Sequence, residues 1–300
     1  MKSGFISIIG RPNVGKSTLM NTILGEKIAI TTDKPQTTRN TIRGIYTGFD
    51  KAGEPVSQMV FIDTPGIHKP HNKLGQYMTQ SALNTFGEVE MILFLVDSAY
   101  EGEGSGDDYI LNLLKKVDTP KVLVINKIDQ LEPDVFENIY KTYEAMGMFD
   151  EICGVCAKTG KNVDRLLKTI ESRLEEGPMY FPPEMITESP ERFLVSEIIR
   201  EKLLLYLEEE VPHGVAVEIE SYVEEEKLTS ISAVIYCEKQ SHKGIIIGHE
   251  GRKLKGIGKA ARLEIENLLG TKVFLETHVK VKERWRDSDI AIKNFGYKEQ

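Results

Sequence analysis

Eight consecutive residues near the N-terminus form a pattern suited to holding phosphate groups. They run Gly10-Arg11-Pro12-Asn13-Val14-Gly15-Lys16-Ser17 and match G-x-x-x-x-G-K-[ST]. The glycines allow the backbone N–H groups to wrap around phosphates, Lys16 would reach the outer phosphates, and the Ser17 hydroxyl would ligate Mg²⁺. Thr18, the next residue, belongs to the same expected set. The alternative is a glycine turn without a ligand, but the pattern arises by chance in only about one chain per hundred of this length.

A second motif, Asp63-Thr64-Pro65-Gly66, follows an apolar segment. The Asp63 carboxylate would hold Mg²⁺ through water, and the Gly66 N–H would meet the γ-phosphate of a bound nucleotide. Alone, D-x-x-G is a common turn. After the first motif it indicates a nucleotide site.

The segment Asn126-Lys127-Ile128-Asp129 would select the base. Guanine offers two donors that one carboxylate at Asp129 accepts together, whereas adenine presents an acceptor there and would leave Asp129 unpaired. Asn126 and Lys127 would brace the phosphate loop and the ring. An exposed turn is the alternative for an isolated N-K-x-D.

The run Cys156-Ala157-Lys158 lies where a short loop would touch guanine O6, through the Ala157 N–H. This motif usually begins with serine, so Cys156 is a departure. The four motifs in this order resemble those of the translation-factor-related GTPases.

Between the first two motifs lies a polar segment, Thr31–Arg39, which we call the switch loop. In GTPases this region closes on Mg²⁺ and the γ-phosphate through a threonine. We expect Thr38 to be that residue, with Thr37 as its rival. The predicted Mg²⁺ ligands are therefore Ser17, Thr38 and Asp63. A solvated loop with no switch role is the alternative.

Ile67 follows the second motif, where many GTPases have a glutamine that orients the attacking water. An isoleucine has no hydrogen-bonding group for this task. We therefore predict slow intrinsic GTP hydrolysis, with Lys16, Thr38 and Gly66 as the catalytic residues and Mg²⁺ as the cofactor.

A different motif, Gly248-His249-Glu250-Gly251, lies far along the chain, between three isoleucines and a predicted helix beginning at Arg252. It matches the G-x-x-G loop of KH domains, where a nucleic-acid backbone approaches closely beside an apolar groove. Glu250 is a departure, because basic or neutral residues usually stand there. A plain helix–helix turn is the alternative.

Further candidate RNA-binding residues surround this loop. Trp285 would either stack on a base or pack within the domain, and the sequence leaves both open. The other expected contacts are Lys243, Ile247, Arg252, Lys253 and Lys255.

The elements that position these motifs form two groups. In residues 1–175, apolar runs at Phe5–Ile9, Met59–Ile62, Met91–Val96 and Val122–Ile125 alternate with helical patterns. This predicts an α/β P-loop domain, with a mostly parallel sheet and helices on both faces. Residues 176–190 are Pro-rich and predict a linker. Residues 191–300 then follow the order helix, strand, strand, helix, loop, helix, strand, which predicts a smaller α+β domain of the type II KH arrangement with a C-terminal tail.

Charge is distributed unevenly along the chain. The net charge is −8, yet Lys239–Arg286 contains twelve Lys/Arg and five Glu, which leaves −15 for the remainder. A basic segment in an acidic protein is typical of a local phosphate-binding surface. No apolar run is long enough to cross a bilayer, and the N-terminus shows no secretory pattern, so we expect a cytoplasmic protein.

The combination of these motifs resembles the Era family of bacterial GTPases. The most specific match is the run Pro190–Lys202, in addition to Gly10–Ser17, Pro35–Arg39, Asp63–Gly66, Asn126–Asp129 and Gly248–Gly251. The resemblance implies GTP and GDP as nucleotides, and the 3′ end of 16S rRNA and the 30S subunit as partners. It also implies peripheral association with the inner face of the plasma membrane, and we expect a monomer.

Two other functions stay open at this point. One is a GTP-regulated RNA-binding module whose hydrolysis is incidental. The other is a membrane-associated signalling GTPase whose KH-like domain binds protein, although the basic segment argues against it because a protein-binding surface has no need of clustered phosphate-binding charge.

Overall fold

The computed structural model of the protein describes residues 1–97 and 105–297, and its contacts divide the chain into two units. The first comprises Met1–Ala29, Thr38–His71 and Gly75–Glu188. The second comprises Ile30–Thr37, Asn72–Leu74 and the chain from Ser189 onward. Most of the switch loop therefore clusters with the C-terminal part of the chain.

A six-stranded sheet forms the centre of the first unit. Its strands, in chain order, are β1 Lys2–Gly10, β2 Ile42–Phe49, β3 Pro55–Asp63, β4 Met91–Val96, β5 Lys121–Ile125 and β6 Glu151–Gly154. The spatial order is β2-β3-β1-β4-β5-β6, and only β2 is antiparallel to its neighbour. Every residue of β4 and β5 is buried, as expected for central parallel strands covered on both faces. The predicted α/β P-loop fold is confirmed.

Five longer helices accompany this sheet: α1 Lys16–Leu24, α2 Lys73–Asn84, α3 Gly106–Leu114, α4 Pro133–Glu144 and α5 Val163–Arg173. The sequence patterns did not identify β2 or α2. Strand β2 contains two glycines, which interrupt the apolar alternation. Gly44 gives α1 room to pack closely, because a Cβ there would lie 2.5 Å from the Leu24 Cδ1 atom and would make that side chain shift.

The Pro-rich segment expected as a linker is ordered along the first unit as far as Glu188. Isolated bridges join Glu176 to Lys2 and Thr187 to Gly44. The Gln58 side chain accepts the N–H groups of Tyr180 and Phe181 at 2.8 and 3.0 Å. The prolines prevent a helix, yet the segment satisfies its backbone groups against β1, β2 and β3.

The second unit contains α6 Glu191–Tyr206, β7 Ala216–Glu224, β8 Leu228–Cys237, α7 Gln240–Ile247, α8 Arg252–Leu269, β9 Lys272–Val281 and α9 Asp289–Asn294. Its sheet has the order β7-β8-β9, in which β8 pairs antiparallel with β7 and parallel with β9. Helices α6, α7 and α8 bury Ile199, Ile246 and Ile257 in one apolar core against the sheet. The predicted KH order is confirmed, and α9 is an addition that the sequence patterns did not reveal.

Candidate nucleotide and nucleic-acid sites

The phosphate loop connects β1 to α1 and depends on backbone geometry that favours glycine. Gly15 has a φ of 100°, and a Cβ there would lie 2.3 Å from the Asn126 Nδ2 atom. The Lys16 ammonium is buried and donates to the carbonyl oxygens of Gly10 and Arg11, at 3.3 and 2.9 Å. Burial lowers the pKa of Lys16 to about 8, although Asp63 and Asp97 oppose this shift. The negative charges of Asp63 and Asp97 therefore do not fully compensate the Lys16 ammonium for the solvent that it has lost.

Three oxygen-bearing side chains meet beside this lysine. The Ser17 hydroxyl lies 2.6 Å from the Asp63 Oδ2 atom and 2.9 Å from the Thr38 hydroxyl, which is 3.4 Å from the same Oδ2 atom. The other carboxylate oxygen, Asp63 Oδ1, is buried and has no hydrogen-bond partner. Burial raises the pKa of Asp63 to about 6, against the effect of Lys16, Ser17 and Thr38.

This set of oxygens fits Mg²⁺. A carboxylate and two hydroxyls are hard ligands, and the orphaned Oδ1 atom is a buried acceptor that requires a partner. In the described part of the chain no group of three His, Cys, Asp or Glu residues could hold a metal alone. Mg²⁺ at this position would therefore depend on phosphate and water oxygens for its remaining ligands, as it does in nucleotide sites.

The structure also distinguishes Thr38 from its rival. The Thr37 hydroxyl lies 2.6 Å from the Thr32 hydroxyl and donates to the Lys34 carbonyl oxygen at 2.7 Å. Only the Thr38 hydroxyl lies among the Mg²⁺-ligand candidates. The geometry therefore favours Thr38 as the switch threonine.

The second motif lies against the phosphate loop. Thr64 is fully buried and donates to the Ile8 carbonyl oxygen at 2.7 Å, and Pro65 is buried as well. A Cβ on Gly66 would lie 2.7 Å from the Pro12 backbone nitrogen, so glycine is required for this approach. The Ile67 side chain is fully buried in the core. It is a packing residue with no access to an attacking water.

The base-selecting segment is held by hydrogen bonds to two other motifs. The Asn126 side chain donates to the Val14 carbonyl oxygen at 2.8 Å and accepts the Ala157 N–H at 2.9 Å. In this arrangement the Ala157 N–H bonds Asn126, where the sequence predicted a contact with guanine O6. Lys158 is exposed. The Ala157 N–H therefore helps to fix the orientation of the Asn126 side chain.

The cysteine that departs from the usual motif has an identifiable contact. A hydrogen bond from the buried Cys156 thiol is the main cause that lowers the pKa of the exposed Asp129 carboxyl. The thiol favours the carboxylate form, which an exposed aspartate already has near pH 7 and which accepts the two guanine donors. A serine hydroxyl at position 156 would also donate to the Asp129 carboxylate. Cysteine can therefore replace the usual serine in this motif.

In the second unit, the G-x-x-G loop joins α7 to α8 and contains three residues with positive φ. Gly248, Glu250 and Gly251 have φ values of 70°, 53° and 74°. A Cβ on Gly248 would lie 2.7 Å from the Lys253 Cβ atom, so this glycine also permits a close approach. His249 is 80% exposed, and Ile247 is half-buried beside the loop. The loop therefore presents bent, accessible backbone.

Charge around this loop is partly neutralised by ion pairs. Glu250 of the loop pairs with Arg252 at 2.5 Å, and elsewhere in the second unit Arg286 pairs with Glu238 at the same distance. By contrast, Lys243, Lys253 and Lys255 have no ion pair with any residue that the structure describes. The lysines rather than the arginines therefore supply the free positive charge.

The structure decides between the two roles that the sequence left open for Trp285, in favour of packing within the domain. Its side chain is fully buried, donates from Nε1 to the Gly214 carbonyl oxygen at 2.8 Å and stacks with Tyr297. The adjacent Phe295 meets it edge to face. The indole is thus a packing residue beneath α9, and it is not available to stack on a base.

Comparison with known proteins adds to this geometry. A family model described as a 50S ribosome-binding GTPase matches residues 5–127, and a KH domain model matches residues 210–286. GTPase Era of Clostridioides difficile (strain 630) is 56% identical over 302 residues, which covers 100% of this chain and 99% of that protein. The chain belongs to the Era family of GTPases. GTPase Era of Alkaliphilus oremlandii (strain OhILAs) is 55% identical over 298 residues, covering 99% of each chain.

Two solved Era structures match this member of the family, each with a TM-score of 0.92 and 39% identity over 99% of both chains. One is a variant of Aquifex aeolicus Era bound to GDP·AlF4⁻. The other is Era in complex with MgGDPNP and nucleotides 1506–1542 of 16S ribosomal RNA. The predicted family, fold class and GTPase activity are thereby confirmed.

Two acidic residues that contact the nucleotide-binding motifs of this Era-family chain escaped the sequence analysis. Asp97, directly after β4, pairs with Lys127 at 2.6 Å and lies 3.5 Å from the Arg11 guanidinium. Asp107, near the start of α3, is buried and pairs with Arg11 at 2.9 Å. A signal existed for Asp97, because polar residues at the carboxyl ends of parallel strands line ligand sites in open α/β sheets.

Proposed function

We propose that this Era-family GTPase is a GTP-dependent switch that binds the 3′ end of 16S rRNA during maturation of the 30S subunit. The observation that carries the nucleotide half is the meeting of Ser17, Thr38 and Asp63 around an orphaned carboxylate oxygen beside buried Lys16. At such a site the switch loop contacts the γ-phosphate, which GTP has and GDP lacks, so the conformation of the loop depends on the bound nucleotide.

In this proposal Ser17, Thr38 and Asp63 hold Mg²⁺, which would neutralise phosphate charge when bound. The Lys16 ammonium and the Gly66 N–H stabilise charge on the transferred phosphoryl group, and the remaining phosphate-loop N–H groups orient it. Asp129 accepts the two guanine donors, while Lys127 is held beside Asn13 and Asp97. Ile67 supplies no group that orients water, which supports slow hydrolysis without a partner.

The RNA half rests on the G-x-x-G loop and on the solved Era complex. Left-handed glycines allow a phosphate backbone to approach, and Lys253 and Lys255 flank that approach. The description of the GTPase-domain model names the 50S subunit, whereas the structure that matches 99% of this chain contains 16S rRNA. We give the second more weight, because it covers both units and the first covers only residues 5–127.

Binding of a labelled single-stranded RNA from the 16S 3′ end tests this proposal. It is measured with a saturating non-hydrolysable GTP analogue and then with GDP, over a salt series. Gly251→Asp introduces charge and strain at the loop, and we expect it to abolish binding. Equal RNA affinity in both nucleotide states would contradict the switch, and no binding in either state would contradict the RNA-binding function.

The chain offers a matched control for Gly251→Asp. Gly270 has a φ of 65°, close to the 74° of Gly251, and a Cβ at either position meets nothing within 4 Å. Gly270 ends α8, at the opposite end of that helix from the G-x-x-G loop. Gly270→Asp carries the same strain and charge, so we expect it to leave RNA binding intact.

We also propose domains at 1–175 and 191–300, with the segment up to Glu188 ordered along the first of them. We propose further that the protein is a cytoplasmic monomer that associates peripherally with the inner face of the plasma membrane. The support is the resemblance of the sequence to its family. None of the helices in the described part of the chain has both the length and the apolar character of a bilayer span. Flotation with anionic and neutral vesicles tests the association, and light scattering tests the monomer.

A further inference from the structure

Helix α6 contains a buried arginine that contacts the switch loop. Arg200 is 1% exposed, and its guanidinium forms a two-pronged ion pair with Glu197, at 2.7 Å from Nε and 2.5 Å from Nη2. The same Nη2 donates to the Thr37 carbonyl oxygen, and Nη1 lies 3.5 Å from that of Gln36. A buried guanidinium in this geometry is pre-organised to hold a fixed carbonyl group.

The neighbouring residue of α6 holds the other end of the loop. The carboxylate of Glu201, itself 1% exposed, accepts the Thr31 N–H at 2.9 Å. Lys202 pairs with this carboxylate at 2.8 Å and also with Glu264 of α8. Consecutive residues of one helix thus fix both ends of the segment Thr31–Thr37, which clusters with the second unit.

The contact with Thr37 bears directly on Thr38. A peptide group is planar, so the Thr37 carbonyl and the Thr38 nitrogen belong to one rigid unit. A hydrogen bond that fixes this carbonyl also fixes the plane from which the Thr38 side chain projects. The Thr38 hydroxyl lies 2.9 Å from Ser17 and 3.4 Å from Asp63, within the expected Mg²⁺ site.

We propose that Arg200 is a positioning residue that holds Thr38 in place for the Mg²⁺ and γ-phosphate of bound GTP. The inference rests on the proposed role of Thr38. Arg200 touches neither nucleotide nor metal and acts through the Thr37–Thr38 peptide. Withdrawal of that peptide would take the Thr37 carbonyl away from a buried guanidinium, which opposes opening of the loop.

The test measures the affinity of full-length protein for fluorescent GDP and for a fluorescent non-hydrolysable GTP analogue with Mg²⁺ present. Arg200→Lys keeps the charge but removes the planar fork. We expect affinity for the GTP analogue to fall about tenfold and affinity for GDP to change less than about twofold. The kcat for hydrolysis should fall as well. Equal losses for the two nucleotides, or none, would overturn the proposal.

Arg192 provides the matched control. It lies on the same helix, is exposed, and donates to the Ile219 carbonyl oxygen at 3.0 Å rather than to the loop. Arg192→Lys should change neither affinity. If Arg200→Lys does not fold, Glu197→Gln decides the question, because it loosens the hold on Arg200 and should produce a smaller loss in the same direction.

A double-mutant cycle separates this inference from the proposed function. Thr38→Ala alone tests the role of Thr38, and if the preference for the GTP analogue does not change, both ideas fail. If Thr38→Ala has its effect and Arg200→Lys has none, only the present inference fails. If Arg200 acts through Thr38, adding Arg200→Lys to Thr38→Ala should cost little more, whereas additive losses would show an independent role and overturn the proposal.

Discussion

The nucleotide site and the G-x-x-G loop both present glycine-bent backbone to phosphate, but they differ in burial. In the first, Lys16 and Asp63 are buried, and their pKa values move to about 8 and about 6 because each has lost solvent. In the second, His249 and Glu250 are 80% and 64% exposed. Buried polar groups without full partners raise the free energy of the empty site, and a charged ligand restores their partners.

This difference predicts how each site responds to mutation. At a buried site a single polar change removes an interaction that water does not replace, so the loss is large. At an exposed site phosphate contacts are screened and distributed, so each residue contributes little. The five substitutions below test that contrast, from the largest expected effect to the smallest.

Asp129→Asn should have the largest effect. The amide accepts one guanine donor and faces the other with its own N–H group, so we expect GTP affinity to fall about a hundredfold or more. Xanthosine triphosphate has a carbonyl in place of the guanine amino group, and its affinity should rise. Competition binding measures both. Asp118→Asn, an exposed position after α3, is the control, and unchanged GTP affinity in Asp129→Asn would contradict base selection by this residue.

Asp63→Asn should have opposite effects on binding and on stability. Loss of the carboxylate should weaken Mg²⁺ binding with GTP about tenfold or more. The pKa of Asp63 is raised from 3.8 to about 6, so the charged form destabilises the folded state at pH 7 by up to about 3 kcal/mol. The nucleotide-free variant should therefore melt several degrees higher than the parent protein at pH 7.

The pH dependence of this difference provides the control. Between pH 4 and 6 the folded carboxyl binds a proton that the unfolded one does not, so the parent protein gains stability from this group as the pH falls. The gap in Tm between variant and parent should therefore shrink from pH 7 to pH 5. A gap that persists at pH 5 would show that the charge of Asp63 is not its cause.

Lys253→Gln and Lys255→Gln should each weaken RNA binding only about three- to fivefold at physiological salt. The slope of log affinity against log salt should fall by about 0.7 for each lysine that contacts phosphate. Lys227→Gln, at an exposed position between β7 and β8, is the matched control. A hundredfold loss of RNA affinity from either substitution alone would contradict the idea that residues at the exposed site each contribute little.

Trp285→Phe should leave RNA affinity unchanged. The change removes the hydrogen bond to Gly214 and part of a fully buried ring, which should cost about 1–3 kcal/mol of stability. Chemical denaturation measures the stability and the RNA titration measures the affinity. Weakened RNA binding without loss of stability would show that the indole reaches the RNA.

The local sequence was informative wherever a motif and its flanking strand or helix are adjacent in the chain. The phosphate loop lies between β1 and α1, and the order of elements in the second unit agrees with the prediction. Strand β2 and helices α2 and α9 were not identified. Strand β2 is a glycine-interrupted edge strand, and α9 has only six residues, so neither has a clear apolar period.

Other features depend on contacts between residues far apart in the chain. Twelve basic residues in Lys239–Arg286 indicated a phosphate-binding surface, but the sequence could not show that Arg286 pairs with Glu238. Trp285 had two open roles until its contacts with Gly214 and Tyr297 were known. The same holds for Cys156, whose thiol lowers the pKa of Asp129.

The sequence by itself determined the nucleotide class, the order of elements and the family, because these depend on residue types at fixed short spacings. Tertiary structure decided which threonine faces the metal site, which charges are free, and which helix holds the switch loop. Arg200 and Thr37 are 163 positions apart, and no local pattern relates them. Burial and hydrogen bonding at such distances follow from how the elements pack, which the spacing of residues along the chain does not encode.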